Sequence, residues 1–187
     1  MHRRRFLESG LGGGIAVVSG FATLPAADPL RPESLTLGFS SYGARSLTTE
    51  AAIDMLKATG YDSLELTIWP EWDANPATMK PARRRAIRKR LADRGLRLTS
   101  LMEHLHIDEG KRSAAERLER IKLAAGLAHD LAPDHPPLLQ TTIGGAGKWA
   151  EKRDGYSEEI AKWIQLANAR DLVIAVKPHR GGAFSRP

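Results

Sequence analysis

Short apolar runs alternate with amphipathic helical patterns along most of this chain. The apolar runs, which are typical of strands, begin near residues 35, 62, 96, 137 and 171. Their mean spacing is about 34 residues, which suits repeated βαβ units. Strands that alternate with helices pair in parallel through right-handed crossovers. The alternation therefore predicts an α/β protein with about five parallel strands and four helices.

The length of one βα unit limits which α/β architectures a chain of this length can form. A barrel of eight such units needs roughly 250 residues or more, whereas the chain has 187. We therefore expect residues 35–187 to form a partial (β/α)₈ TIM barrel that is truncated after strand five. An open, doubly wound sheet of about five strands would also fit the count. Against it, the first strand-to-helix turn lacks a G-x-G-x-x-G fingerprint.

The first residues have the features of an export signal. Residues 3–7, Arg-Arg-Arg-Phe-Leu, fit a twin-arginine pattern, and the glycine-rich apolar stretch of residues 11–24 is too short to span a bilayer. We expect residues 1–27 to be a twin-arginine signal peptide and residues 28–34 to be a linker. The mature protein would then be periplasmic, with no stable membrane span. The alternative is an uncleaved anchor or a disordered tail.

Composition and charge exclude some functions and leave others open. The absence of cysteine excludes disulfides, thiolate zinc sites and cysteine nucleophiles. The net charge of +6 suits anionic ligands or polyanions.

The basic stretch of residues 83–90 resembles a nucleic-acid patch, but Ile87 and Leu91 give it an apolar helix face, so we interpret its charges as solvated. Residues 144–148 resemble a phosphate loop, but their glycine spacing fails, so we expect a flexible loop.

Candidate functional side chains cluster at the carboxyl ends of the predicted strands, where parallel β/α folds bind their ligands. They are Glu65 in strand two, Trp69 after it, His104 and His106 at the end of strand three, and Lys177, His179 and Arg180 after strand five. A carboxylate, imidazoles, an ammonium and a guanidinium can together bind an oxygen-rich anion, hold a divalent metal or move protons.

Each candidate also has a structural interpretation. Glu65 could simply pair with a cation such as Lys177. Of His104 and His106, we expect only one, His104, to face a pocket. His179 follows a proline directly after a buried strand, which favours a functional role. Lys177 and Arg180 could be solvated charges or could bind phosphate or carboxylate. Trp69 could pack against its neighbours or serve as a ligand platform at the strand mouth.

Three segments resemble the sugar phosphate isomerase/epimerase family. They are Leu37-Gly-Phe-Ser40, the helix and strand of residues 49–65 with the pattern Gly-Tyr-Asp-Ser-Leu-Glu, and Leu91-Ala-Asp-Arg-Gly-Leu-Arg-Leu98. This family is the xylose isomerase-like TIM barrel group, to which endonuclease IV-type enzymes also belong. The resemblance covers residues 35 to about 183.

The resemblance implies metal-assisted isomerisation or epimerisation of a sugar or polyol by proton transfer next to a carbonyl. The implied metal is a divalent ion such as Mn, Mg or Zn. Glu65 and His104 match a strand-two glutamate and a strand-three histidine of the family and would be catalytic, with Trp69, Lys177, His179 and Arg180 binding the substrate. Lys177 stands where the family usually has a metal-binding glutamate, and an ammonium cannot ligate a cation. The remaining family ligands lie on strands six to eight, so the metal ligands stay unknown.

Our leading hypothesis is thus an exported sugar isomerase/epimerase-like barrel that acts on a small sugar or polyol. One alternative is a non-catalytic sugar-binding protein or inactive family remnant, in which Lys177 marks the loss of a metal. A second is an endonuclease IV-like DNA enzyme, which the export signal disfavours, so we do not expect nucleic acid as a partner. Open strand edges in a five-strand segment also predict an oligomer.

Overall fold

The computed structural model describes residues 36–107, 110 and 112–186, which belong to a compact unit beginning at Thr36. The expected signal peptide and linker lie outside these residues. Strands and α-helices alternate throughout, and a short 3₁₀ helix (Ser41–Ala44) follows the first strand. In chain order the elements are β1 (Gly38–Ser40), α1 (Thr49–Ala58), β2 (Ser63–Thr67), α2 (Pro81–Arg94), β3 (Arg97–His104), α3 (Ala114–Leu131), β4 (Leu138–Thr142), α4 (Trp149–Asn168) and β5 (Ile174–Val176).

The five strands form one parallel sheet in the order β1-β2-β3-β4-β5. Each strand therefore pairs with the strand before it in the chain. A doubly wound sheet instead reverses direction at a switch point, so that strands distant in sequence become neighbours. A continuous order is the arrangement of a (β/α)₈ barrel. The predicted fold class, an α/β partial barrel of five strands and four helices, is confirmed.

The helices begin and end at residues that the sequence marks. The side chain of Thr48 caps α1 by accepting a hydrogen bond from the Ala51 amide at 3.2 Å. Gly95 ends α2 in the left-handed conformation, with a φ of 58°. Ser113 and Glu116 form a capping box at the start of α3, with the Ser-x-x-Glu spacing that is typical of one. None of the helices within the described ranges is long and apolar enough to cross a bilayer.

β3 ends at His104, which pairs with Thr142 of β4, so His104 lies at the end of its strand as expected. β5 begins at Ile174, later than the predicted start near residue 171. The amide of Leu172 donates to the Ala167 carbonyl at 3.1 Å, so this residue belongs to the turn that leaves α4.

The hydrophobic core lies between the sheet and the helices. It is formed by apolar side chains that are at most 2% exposed, among them Leu64, Leu66, Leu101 and Leu139 from the strands and Ile53, Ile87, Ile121 and Trp163 from the helices. Burial of each such side chain contributes roughly 1.5–3 kcal/mol. Because strand side chains alternate between the two faces, the opposite face of the sheet is left to form the barrel interior.

The basic stretch of α2 is largely paired with carboxylates rather than simply solvated. Arg83 Nη2 lies 2.8 Å from Glu50 Oε2 of α1. Further ion pairs join Arg84 to Asp130, and Arg90 and Arg94 to Asp54. These contacts join α2 to both neighbouring helices. Several of the charges that made the stretch resemble a nucleic-acid patch are therefore paired within the protein.

Candidate active site

Strand register sorts the inward-facing side chains of the barrel into layers. Glu65 aligns with Ser100 in a lower layer. Two residues further along the strands, Thr67, Met102 and Gln140 align in a middle layer. An upper layer follows at the carboxyl ends of the strands and consists of Trp69, His104, Thr142 and Lys177. The upper layer lies at the end of the sheet where β/α barrels bind their ligands, which we call the mouth.

His104 and His106 both contribute to this end of the barrel. Their ring centroids lie 4.8 Å apart, with an angle of 19° between the planes. The expectation that only one of them faces a pocket was wrong, because residues two apart in an extended strand share a face. His106 Nε2 is also 3.0 Å from the Thr142 hydroxyl, which fixes the orientation of its ring.

Two cavities open beside these histidines. One of about 380 Å³ is lined by His104, His106, Thr142, Gly144, Gly145, Ala146, His179, Arg180, Gly181 and Gly182. The other, of about 360 Å³, is lined by Trp69, Pro70, Glu71, Glu103, His104, His106 and Arg112. His104 and His106 line both cavities. Volumes of this size suit a small-molecule ligand.

Trp69 forms one wall of the second cavity. Its ring centroid lies 4.1 Å from that of His104. Its indole Nε1 is buried and has no hydrogen-bond partner among the described residues. A buried donor without an acceptor costs free energy. The contact of Trp69 with substrate stays a prediction.

His104 is held in its neutral form. Burial of the ring, together with electrostatic repulsion from His106, Lys177, His179 and Arg112, lowers the pKa of His104 to about 4. At neutral pH one ring nitrogen therefore donates a hydrogen bond and the other accepts one. Such a group can bind either a hydroxyl or a carbonyl of a ligand.

The predicted residues after β5 lie at the same mouth. The amide of Lys177 donates to the Thr141 carbonyl at 2.8 Å, which continues the pairing of β5 with β4 and places Lys177 in the upper layer. His179 and Arg180 are exposed residues that line the first cavity. The structure thus brings Lys177, His179 and Arg180 together with His104.

Glu65 does not lie with this group. Its Oε2 accepts a hydrogen bond from the Ser100 hydroxyl at 2.9 Å in the lower layer. The register places it four strand residues below His104, a separation of roughly 13 Å along the strand. The structure therefore does not bring the two predicted catalytic residues, Glu65 and His104, into contact.

A buried network behind β3 was missed by sequence reasoning. The side chain of Glu103 is fully buried and points towards the helices. It accepts hydrogen bonds from Arg120 Nε at 2.7 Å and from Arg112 Nη1 at 3.0 Å. Arg112 Nη1 also donates to the His104 carbonyl at 2.7 Å. A usable indication was the position of Arg120 beside Ile121, on the apolar face of α3.

Arg120 also holds the loop that carries Trp69. Its Nη1 donates to Asn75 Oδ1 at 3.0 Å, and its Nη2 donates to the Ile68 carbonyl. One guanidinium therefore joins the end of β2, the following loop and Glu103. These contacts hold the backbone beside Trp69, through Ile68 and Asn75, and the backbone beside His104, through Glu103.

The described residues do not offer a fitting site for the divalent metal that the resemblance implied. No group of three histidine, aspartate or glutamate side chains within the described ranges is placed to hold an ion. The buried carboxylate nearest the mouth, Glu103, is already engaged by Arg120 and Arg112. Lys177 adds a positive charge to the upper layer, where it would repel a cation.

Sequence comparison identifies the family. The profile of the xylose isomerase-like TIM barrel matches residues 53–185. The chain belongs to this family. The resemblance read from residues 35–183 is thus confirmed, and the continuous strand order is the one expected of a xylose isomerase-like barrel. No curated protein matches the chain significantly.

Solved structures share the fold of this xylose isomerase-like chain at low sequence identity. The probable 3-DHS dehydratase AsbF of Bacillus anthracis has a TM-score of 0.62 and 15% identity, over 79% of this chain and 54% of that chain. The IolI protein, whose crystal structure holds a zinc atom, has a TM-score of 0.63 and 11% identity, with coverages of 80% and 54%.

A third similar structure is 3-keto-D-glucoside 4-epimerase of E. coli. It has a TM-score of 0.56 and 12% identity, over 79% of this chain and 57% of the epimerase. The xylose isomerase-like chain therefore spans about half the length of these solved structures. At these identities the likeness shows the shared fold.

Proposed function

We propose that this chain forms the mouth of a sugar isomerase/epimerase-type site. Its ligand is a small, oxygen-rich anion, such as an acidic or phosphorylated sugar or polyol, and the reaction is proton transfer next to a carbonyl. The observation that carries this proposal is the convergence of His104, His106 and Arg180 on one cavity, with the Lys177 ammonium close enough to His104 to affect its charge. Two proteins of similar structure, the probable 3-DHS dehydratase and the 3-keto-D-glucoside 4-epimerase, support the same class of chemistry.

The side chains have separate roles in this proposal. His104, with a pKa of about 4, is too weak a base for efficient proton transfer at neutral pH, so it hydrogen-bonds a substrate oxygen instead. His106, whose ring is oriented by Thr142, transfers the proton. Lys177 and Arg180 hold the anionic group. A catalytic role for Glu65 remains a prediction, and it requires a substrate that reaches the lower layer.

Solvent deuterium exchange tests the reaction. The purified chain is incubated in D₂O with a panel of phosphorylated ketoses and aldoses, and mass spectrometry measures deuterium at the carbon next to the carbonyl. We expect incorporation that falls about 100-fold in His106→Asn, because general base catalysis typically contributes at least this factor. Lys57→Gln, an exposed change on α1, is the matched control. Incorporation that is unchanged in His106→Asn contradicts the assignment.

A non-catalytic sugar-binding function is the second candidate. It is favoured by Lys177, an ammonium at the position where the family resemblance implied a metal-binding glutamate. Isothermal titration with the same phosphorylated sugars separates the two candidates. Stoichiometric binding that is weakened by Lys177→Gln, with no deuterium incorporation, would establish binding without catalysis.

We also propose that the protein reaches the periplasm by the twin-arginine route. The supporting feature is the sequence of residues 3–7, Arg-Arg-Arg-Phe-Leu. Residues 1–34 fused to a folded reporter should direct it to the periplasm, and the double change Arg3→Lys and Arg4→Lys should abolish this. Export of the doubly changed fusion at the original level would contradict the proposal.

A further inference from the structure

We infer that the mouth contains a second subsite, built on Tyr42, that stacks against a second ring of the ligand. The substrate class would then be a glycoside, in which the sugar is joined to another ring through its anomeric carbon and carries its carbonyl at a different ring carbon, rather than a free monosaccharide. This inference rests on the proposed function. It is carried by a cluster of aromatic side chains, Tyr42, Trp69 and Trp72, which we call the aromatic platform.

The rings of the aromatic platform are in mutual contact. Tyr42 stacks on Trp72 with centroids 5.6 Å apart and 16° between the planes. Tyr42 also meets Trp69 edge-on at 5.6 Å, and Trp69 meets Trp72 edge-on at 5.7 Å. Because Trp69 lies 4.1 Å from His104, the platform is continuous with the cavity in which the sugar is proposed to bind.

Tyr42 is the exposed member of the platform. It is 56% exposed, whereas Trp69 and Trp72 are half-buried. Trp72 is engaged by Tyr42 and by the Arg45 guanidinium, which lies 5.5 Å from its ring centroid. Tyr42 is therefore the ring with the most surface available to a ligand.

The backbone that carries Tyr42 is held in place before any ligand binds. The adjacent Ser41 hydroxyl accepts a hydrogen bond from the Thr67 amide at 2.8 Å, which ties the 3₁₀ helix to the end of β2. On the other side, a Cβ at Gly43 would lie only 3.0 Å from the Phe39 ring, so the chain packs closely there. A ring that is already positioned loses little conformational entropy when a ligand stacks on it.

The chemistry of the platform matches a ring with one apolar face. A sugar or aryl ring offers such a face while its edge groups remain available for hydrogen bonds, and aromatic side chains favour stacked or edge-on contacts with rings. A simpler explanation is that Tyr42 only shields Trp72 from water. A leucine would provide the same shielding without a flat ring, so Tyr42→Leu separates the two explanations.

Tryptophan fluorescence titration tests the inference, because Trp69 adjoins both subsites. The probes are glucose 6-phosphate, methyl glucoside 6-phosphate and phenyl glucoside 6-phosphate, which differ only in the group at the anomeric carbon. We expect the phenyl glucoside to bind about two- to ten-fold more tightly than the methyl glucoside, because its aryl ring stacks on Tyr42. Tyr42→Leu and Tyr42→Ala should remove this gain, and Tyr42→Phe should keep it.

The outcomes distinguish the inference from the proposed function. Equal binding of all three probes, unchanged in Tyr42→Leu, overturns the second subsite but leaves the anionic sugar site intact. Binding by none of the three overturns both. Thermal unfolding of each Tyr42 variant checks that the fold is retained, and Lys57→Gln serves as the control for a change outside the mouth.

Discussion

Glu103 and His104 are neighbours in β3, but their side chains serve opposite faces of the sheet. Glu103 points into the helical layer and is neutralised by Arg120 and Arg112. His104 points into the barrel interior and remains neutral beside cationic groups. Arg112 also donates to the His104 carbonyl, so the same guanidinium contacts the buried Glu103 carboxylate and the backbone of the candidate site.

Removing the charge of Glu103 should destabilise the protein strongly. In Glu103→Gln, two guanidinium groups lose their buried carboxylate, and breaking such a pair typically costs about 3–5 kcal/mol. Urea denaturation measures the free energy of unfolding. The control is Glu119→Gln, which removes an exposed pair with Lys122 on α3 and should change it by less than about 1 kcal/mol. Equal effects of the two changes would contradict the assigned role of Glu103.

The titration of His104 should be shifted to acidic pH. Its pKa is lowered from 6.5 to about 4, so at pH values between these the unfolded state binds a proton that the folded state does not. The contribution of His104 to stability is therefore constant above pH 6.5 and declines as the pH falls through this window. NMR titration of the imidazole Cε1 proton, assigned with His104→Asn, measures the midpoint. A midpoint near 6.5 would show that the ring is not desolvated.

The sequence predicted which residue types lie at the mouth, but it did not predict their depth in the barrel or their hydrogen-bond partners. His104, Lys177 and His179 could be placed at strand ends, because a strand's position in a β/α unit fixes where its carboxyl end lies. The depth of Glu65 could not, because it depends on register between strands. The position of Arg120 beside Ile121 indicates that its side chain is buried, but its partners Glu103 and Asn75 are far away in sequence, so no local pattern identifies them.

At the scale of the elements, the loop from β4 to α4 lines the candidate site and packs against His106. Gly144 has a φ of +71°, and a Cβ there would lie 2.7 Å from the Cγ atom of His106. Gly145 accepts a hydrogen bond from the Ala183 amide at 2.8 Å, which joins this loop to the segment after β5. We expected a flexible loop here from the glycine-rich sequence, and its contacts show why glycine is required at position 144.

Substituting Gly144 should disturb both stability and the site. In Gly144→Ala, the left-handed backbone costs about 1–3 kcal/mol, and the added methyl group displaces the His106 ring. We expect a lower melting temperature and loss of the deuterium exchange assigned to His106. The matched control is Gly155→Ala within α4, where a Cβ meets nothing within 4 Å. That change should stabilise the protein by about 0.5–1 kcal/mol.

The ends of the elements show which boundaries local chemistry sets. Helix termini at Thr48, Gly95 and Ser113 were predictable, because caps act within a few residues. The start of β5 at Ile174 was not, because it depends on pairing with Leu139 in another unit. Local patterns therefore place the elements, while pairing partners decide how far each strand extends.

At the scale of the whole molecule, the two outer strands are the exposed features. Within the described residues, β1 pairs only with β2, and β5 pairs only with β4. Large apolar side chains lie beside both, with Leu37 58% exposed before β1 and Val173 67% exposed before β5. Unpaired strand edges with apolar neighbours favour association with further strands.

We expect the chain to self-associate through these edges as its concentration rises. The double change Leu37→Lys and Val173→Lys should shift it towards the monomer, because charged side chains protect strand edges. Light scattering after size-exclusion chromatography measures the mass. Ile164→Lys, which changes a residue 52% exposed on α4, is the control. Loss of association in this control alone would assign the contact to the helix instead.

The continuous strand order has a consequence for how the protein is made. Each strand finds its partner in the unit just synthesised, so the separation in sequence between pairing strands stays near the length of one unit. Contacts between nearby segments close small loops and form quickly. The sheet can therefore grow from its amino-terminal strand while the ribosome is still adding residues, and each arriving strand covers the edge that the previous one left open.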